Sequence, residues 1–154
     1  MNQTEETTDR WIEEVNVAAA LISFSYRSIQ KYFAKELSPY KIGWGHFATL
    51  MSLYDEEGRS QDCLAQSRGF DKTMIAKSVT KLEEQGFVYR TVDPEDKRVK
   101  RLYLTEKGRA LEPEMKRIGF TVNKLLLAGL DTREALAVLE DVRKIALNAA
   151  KLRG

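Results

Sequence analysis

Between Ser60 and Leu104 the chain changes its hydrophobic period once, and that single change limits the folds open to it. Up to Gln85 apolar side chains recur every three or four residues; beyond Gly86 that period gives way to strand-type residues. Ser60 is placed to cap a short helix, Gln61–Ser67, with Leu64 and Ala65 turned inward. Arg68-Gly69-Phe70 makes a tight connection in which Gly69 can adopt the left-handed backbone that a side chain resists. Asp71 caps a second helix reaching about Gln85, with Met74 or Ile75, Val79 and Leu82 inward, and Gly86 stops it. Helix, short glycine-containing turn, helix is the outline of a helix-turn-helix unit. Phe87–Val92 is then rich in the aromatic and β-branched types that strands favour. Asp93-Pro94-Glu95-Asp96 is a turn, since proline fixes one dihedral and the aspartates bond back to the backbone. Val99–Leu104 sets Val99, Arg101 and Tyr103 against Lys100, Leu102 and Leu104, so it returns as the second strand of a hairpin. A two-stranded ribbon is marginal alone and must lean on the helices before it.

Long helices flank this block. From Trp11 to Leu37 the positions Trp11, Val15, Ala18, Ile22, Tyr26, Ile29 and Phe33 form one stripe, which Pro39 ends. A second helix is predicted from Gly43 or Trp44 to Glu56, with Phe47, Leu50, Met51 and Tyr54 inward and Gly58 as its terminator. Thr105 begins a helix reaching Leu127 or beyond, interrupted or kinked early by Pro113. Asp131-Thr132-Arg133-Glu134 is a capping box that opens a last helix carrying Leu136, Leu139, Val142, Ile145 or Ala146, Ala149 and Leu152. The fold class expected is mainly α with one small β-hairpin.

With 154 residues, 43% of them hydrophobic, the chain is long enough to bury one domain's core. No apolar run approaches the ~18 residues of a membrane span. The start, Met1-Asn2-Gln3-Thr4-Glu5-Glu6, lacks the basic flank and apolar segment of a secretory signal, so a cytoplasmic location is expected. The one cysteine, Cys63, cannot form an internal disulfide, and the one histidine, His46, cannot build a metal site without many carboxylates. No metal and no cofactor are expected. Catalysis would need a positioned base or nucleophile, and the ordinary candidates, His46 and Cys63, fall on different predicted helices with no glycine-rich phosphate loop. No enzyme is expected.

The formal net charge of +2 says little, but its distribution says more. Residues 1–71 carry 7 basic and 11 acidic side chains, whereas residues 72–109 carry 10 basic and 6 acidic. The helix-turn-helix and hairpin thus form a basic zone in a nearly neutral chain, either a solvated face or the field that a polyanion meets first.

The run Leu64-Ala65, Asp71, Ile75-Ala76, Val79, Leu82-Glu83, Gly86-Phe87-Val88, followed by Asp93-Pro94-Glu95-Asp96-Lys97-Arg98, Leu102, Leu104-Thr105 and Gly108, resembles the MarR family of transcriptional regulators. The likeness covers nearly the whole chain and is strongest from about residue 42 to residue 111. It implies a winged helix-turn-helix domain over 39–109, flanked by dimerisation helices at 1–38 and 110–154. It also implies a homodimer on a pseudo-palindromic duplex operator, with Asp71–Gln85 as recognition helix and Asp93–Lys100 as wing tip. The function implied is a ligand-responsive regulator, a repressor released by a small, aromatic and anionic effector. The alternative is a winged helix used as a protein-interaction module or as a non-specific nucleic-acid binder without ligand sensing.

With Ile75, Val79 and Leu82 inward, Lys72, Thr73 and Lys77 are expected at base edges in the major groove. Ser60, Gln61, Arg68 and Lys81 are expected at phosphates. In the wing, Arg98 matches the family arginine that enters the minor groove and Asp96 the acid that holds it, with Lys97 and Lys100 on phosphates. Dimerisation is assigned to Trp11, Val15, Leu125, Leu126, Leu139, Val142, Ile145, Ala149 and Leu152, together with Val122, Leu127 and Leu130. The alternative is that these fold back on their own core. By the same likeness, an effector would lie among Tyr26, Arg27, Tyr40, Trp44, His46 and Phe47, with Arg27 its carboxylate partner. His46 stands where the family often has a glutamine, and Gly43 where it often has a capping Ser or Thr. Cys63 lies away from the first long helix, where the family's peroxide-sensing cysteine sits, and is expected as a small, partly buried residue.

Overall fold

The computed structural model describes the backbone of residues 3–68 and 71–152 and the side chains of residues 17–66 and 71–152. The side chains of Trp11, Val15 and Arg68, and the Gly69-Phe70 link, lie outside the described residues. The chain has two compact units, Met1–Trp44 and Gly45–Gly154.

The first unit is built on helix α1, Gln3–Leu37, which starts earlier than the Trp11 stripe suggests. It ends two residues before Pro39, which sits in the first turn of a short 3₁₀ segment, Ser38–Tyr40. Ser38 Oγ donates back to the Lys35 carbonyl at 3.0 Å, and Lys41 (φ 55°) turns the chain with its N–H on the Ser38 carbonyl. Within the apolar stripe Phe33 is buried, edge-on to Tyr32 and 4.5 Å from the Trp44 ring. Residues 17–28 are exposed throughout, including Ile22 and Tyr26 of the same stripe.

Helix α2, Trp44–Asp55, has all but its first residue in the second unit. Phe47 and Leu50 are buried as expected, but Leu53 rather than Tyr54 completes the inner face, and Met51 is half-buried. Tyr54 stays at the margin because its hydroxyl donates to the Gly108 carbonyl at 3.0 Å; burial, helped by Glu112, pushes its pKa up. The helix stops short of Glu56. Gly58, in the left-handed region at φ 78°, serves a different end from helix termination: its N–H donates to the Leu102 carbonyl at 2.8 Å. That bond launches β1, Arg59–Ser60, a strand that two residues cannot announce by period.

Helix α3 (Gln61–Arg68) and helix α4 (Lys72–Glu84) follow, then strands β2 (Val88–Val92) and β3 (Lys100–Leu104). The sheet is therefore three-stranded and antiparallel, order β1-β3-β2, not the isolated hairpin expected. Arg59 pairs with Leu102, and Val88 through Val92 pair with Leu104 through Lys100. Leu64 and Ala65 of α3, Ile75, Val79 and Leu82 of α4, and Val88, Leu102 and Leu104 of the sheet are buried. α3 packs on α4 and on β1 and β3, and α4 packs on β2, so the ribbon leans on both helices. One polar pair enters this core: Thr49 Oγ1 donates to the Gly45 carbonyl, so Ser78 supplies the hydrogen of the 3.1 Å bond that joins α2 to α4.

The helix expected from Thr105 onward is two helices, α5 (Glu106–Ala110) and α6 (Glu112–Leu126), divided at Leu111. Pro113 lies in the first turn of α6, where a missing N–H costs no helical bond. Thr105 caps α5, and Gly108 is required beneath it: a Cβ there would lie 2.1 Å from the Phe87 carbonyl oxygen. Met115, Ile118 and Val122 of α6 are buried in the chain's own core, which corrects the assignment of Val122 to a second chain. Asp131 and Glu134 form the predicted capping box of helix α7, Thr132–Lys151. None of the side chains of α7 is buried, so this helix does not fold back on its own core.

Candidate nucleic-acid interface

Helix α4 is oriented by its buried stripe. Ile75, Ser78, Val79 and Leu82 point inward, which leaves Lys72, Thr73, Lys77, Thr80 and Lys81 exposed along one outer surface. Asp71 accepts from the Met74 N–H at 3.0 Å and so fixes where the helix begins. The exposed lysines at its two ends have acidic neighbours: Lys72 Nζ lies 3.0 Å from Asp62 Oδ1, and Lys81 Nζ 3.4 Å from Glu84.

The wing tip, residues 93–99, is closed by hydrogen bonds that its sequence dictates. The buried Asp93 accepts from the N–H groups of Glu95 (2.8 Å) and Asp96 (3.3 Å), while Asp93 N–H donates to Val99 and Val99 N–H to Asp96. Its second oxygen receives Arg101 Nε, and Arg101 reaches on to the Gly58 carbonyl at 2.9 Å. The backbone donors at its first oxygen, then Arg101, hold the Asp93 carboxyl below the usual carboxylate range. At the tip, Arg98 donates Nε to Asp96 Oδ1 at 3.1 Å and an Nη to Oδ2 at 3.3 Å, and its own backbone N–H also meets Oδ1. Arg98 is the main cause that lowers the Asp96 pKa, so the grip persists at neutral pH. The guanidinium side chain is nevertheless 92% exposed.

The start of α3 and the wing meet. Ser60, Gln61 and Asp62 line one cleft of about 310 Å³ with Arg98, Val99 and Lys100. Ser60 caps α3 as predicted, its Oγ accepting from Cys63 N–H at 3.2 Å. Of the predicted DNA-contacting residues, Ser60, Gln61, Arg98 and Lys100 thus share a cleft; Thr73, Lys77 and Lys81 lie on the outer surface of α4, and Lys97 is exposed on the wing. The Arg68 side chain lies outside the described residues.

Arg90 and Asp62 were not singled out from sequence. Arg90, on β2, donates to Gln61 of α3 (3.2 Å), Thr80 of α4 (3.3 Å) and Glu83 of α4, clamping three elements together. A lone arginine in a strand of half-exposed residues carries no signal of those partners. Cys63, expected to be partly buried, is exposed: it lies in the first turn of α3, on the side opposite Leu64 and Ala65.

The predicted effector residues divide between the units. Tyr26 and Arg27 lie on the exposed stretch of α1, with Tyr40 and Trp44 half-buried at the end of the first unit. His46 is half-buried in the second unit, where Phe47 is core: a Cβ on Gly119 of α6 would come within 3.2 Å of its ring. Among the described residues there is no group of three metal-ligating side chains, and no helix is long and apolar enough to cross a membrane.

The MarR family model matches residues 42–100, a span that holds α2, both helix-turn-helix helices, β2 and the wing tip. A Bacillus subtilis (strain 168) protein, the uncharacterized HTH-type transcriptional regulator YybA, is 34% identical over 103 residues, covering 65% of this chain and 69% of that one. The crystal structure of a MarR transcriptional regulator from Methanosarcina mazei Go1 is similar at 36% identity and a TM-score of 0.79, over 89% of this chain and 99% of that one. The transcriptional repressor CouR, solved bound to a 23-mer DNA duplex, is similar at 25% identity and a TM-score of 0.76, over 87% and 95% of the two chains. A winged-helix architecture, shared over nearly all of a solved relative, and identity above one third place this protein among DNA-binding transcription regulators: the chain belongs to the MarR family.

Proposed function

We propose that the protein is a homodimeric, sequence-specific repressor that binds a pseudo-palindromic duplex and is released by a small effector. The observation that carries the reading is Arg98: a fully presented guanidinium, aimed by three hydrogen bonds to Asp96, at the tip of a wing beside the recognition helix. A planar, weakly hydrated cation held in this way suits the negative potential of a narrow minor groove. Lys72, Thr73 and Lys77 on α4 read base edges in the adjacent major groove, with Ser60, Gln61, Arg68, Lys81, Lys97 and Lys100 on phosphates. Asp96 positions Arg98 and does not itself face DNA favourably.

Two copies are held together by α1, the end of α6 and α7, through Trp11, Val15, Leu125, Leu126, Leu139, Val142, Ile145, Ala149 and Leu152. Domain roles follow, with 39–109 binding DNA and the segments 1–38 and 110–154 dimerising. A footprint on genomic fragments tests the whole reading. Two protected half-sites about one helical turn apart (roughly 34–36 Å), surviving excess competitor DNA, are the expected result. Binding that competitor erases would leave a non-specific binder, and no binding would leave a protein-interaction module.

For sensing, Tyr26, Arg27, Tyr40, Trp44, His46 and Phe47 are the proposed effector set. An effector acts only through unequal affinity for the binding-competent and incompetent states of the dimer. Benzoate or salicylate should raise the melting temperature of the wild-type dimer and leave Arg27→Ala unmoved; equal shifts in both would remove Arg27 from the site.

A further inference from the structure

Lys72 opens α4, and its ammonium lies 3.0 Å from Asp62 Oδ1 in the first turn of α3, with both side chains about two-thirds exposed, 68% and 69%. A pair so exposed contributes little to folding. Its position is unusual on other grounds: Asp62 also lines the cleft that holds Arg98 and Lys100, so a carboxylate stands among the cations of the surface assigned to DNA. A phosphate approaching that cleft meets repulsion from Asp62 as well as attraction from its neighbours.

A lysine on a free four-carbon stem sweeps a wide arc and settles on whichever backbone phosphate is near. Its ammonium has three donors, and Asp62 takes one. The other two remain for an acceptor brought to the start of α4, such as guanine O6 or N7 or thymine O4 at a base edge. A backbone phosphate away from the start of α4 would be reached only by a Lys72 that leaves the carboxylate, and one beside Asp62 is repelled by it. We infer that Asp62 is a specificity-determining residue: it holds Lys72 as a reader of one base acceptor and withholds it from the phosphate backbone. The inference rests on the major-groove role proposed for α4.

Asp62→Asn keeps the side chain's shape and removes its charge. The test measures affinity for the tightest duplex recovered from a genomic selection and for its shuffled sequence, over a series of salt concentrations. Relative to wild type, Asp62→Asn should bind the shuffled duplex about fivefold tighter and the selected duplex within about twofold of wild type. The slope of log affinity against log salt on the shuffled duplex should steepen by about one, as Lys72 gains a phosphate. Asp62→Glu should restore the wild-type ratio. Glu84→Gln, which removes the acidic partner of Lys81, should shift both duplexes equally, as a plain charge effect does. In a Lys72→Met background, Asp62→Asn should leave the ratio unchanged. Equal tightening on both duplexes in Asp62→Asn, or a lost ratio that persists without Lys72, overturns the inference and leaves Asp62 a mere repelling charge. Wild-type protein that prefers no duplex overturns the DNA reading itself, and this inference with it.

Discussion

Arg98 and Asp96 are two residues apart, and everything that aims the guanidinium comes from that spacing. A turn brings the Arg98 backbone N–H onto Asp96 Oδ1, and the side chain then closes a two-point contact with both carboxylate oxygens. As a surface ion pair it would contribute little to stability. Its value lies in orientation, because a side chain already fixed loses less freedom on binding. Arg98→Ala should therefore leave the melting temperature unchanged and weaken binding to the selected duplex about tenfold or more. An isotherm unchanged at moderate salt would remove Arg98 from the interface. This pair was legible in the sequence because both partners lie within one turn. Asp62 with Lys72, and Arg90 with Gln61, Thr80 and Glu83, were not, since those contacts join residues on separate elements and follow only from how α3, α4 and β2 pack. Exposure of Cys63 follows from the same packing: Leu64 and Ala65 claim the inner side of α3, and their preceding neighbour is turned outward.

At the scale of elements, periodicity served where segments were long. The stripes of α4 and the alternation of β3 run over enough residues to name their buried sides, and Ile75, Val79, Leu82, Leu102 and Leu104 are buried accordingly. Strand β1 has two residues and no period, so only the Gly58–Leu102 bond and the pairing with β3 define it. The wing is anchored at that same place. Arg101 spans from Asp93 in the wing turn to the Gly58 carbonyl before β1, tying the loop to the inner edge of the sheet. The folded chain stabilises the charged form of Asp93 through backbone donors and Arg101, so its pKa is depressed on folding. Its contribution is complete above the ordinary carboxylate value of about 4. It is lost as pH falls below that value and through the depressed folded one, where the carboxyl takes up a proton. Asp93→Asn should thus melt below wild type at neutral pH, with the two melting curves converging as the pH falls under about 4. A gap that stays constant down to acid pH would show that the carboxylate charge contributes nothing to the wing.

At the scale of the whole molecule, the question is what holds α7 in place. It is a capped helix of 20 residues with no buried side chain, while Leu136, Leu139, Val142 and Ile145 stand exposed at steps of three. Isolated helices shorter than about 12–15 residues are marginal in water, and longer ones in proteins still owe most of their stability to packing an apolar face. Leu125, Leu126 and Leu130 before it, and Val17, Leu21, Ile22 and Phe24 on α1, are likewise exposed. Apolar surface of that extent marks an interaction face. A closed two-fold pairing covers the same patch on both copies and leaves no open end. In the proposed dimer it would also place two α4 helices and two wings on one duplex, which would turn the second half-site contact into an intramolecular event. Val142→Asp tests both consequences, because its side chain is exposed in its own chain and the winged domain should fold unchanged. Sedimentation at micromolar concentration should give the mass of two chains for wild type and of one for the variant. Affinity for a two-half-site duplex should fall by about 10²-fold or more, the scale of lost bivalency, while affinity for a single half-site stays within about twofold. A wild-type mass of one chain would leave α7 without a stabilising partner and would overturn the assembly on which two-site reading depends.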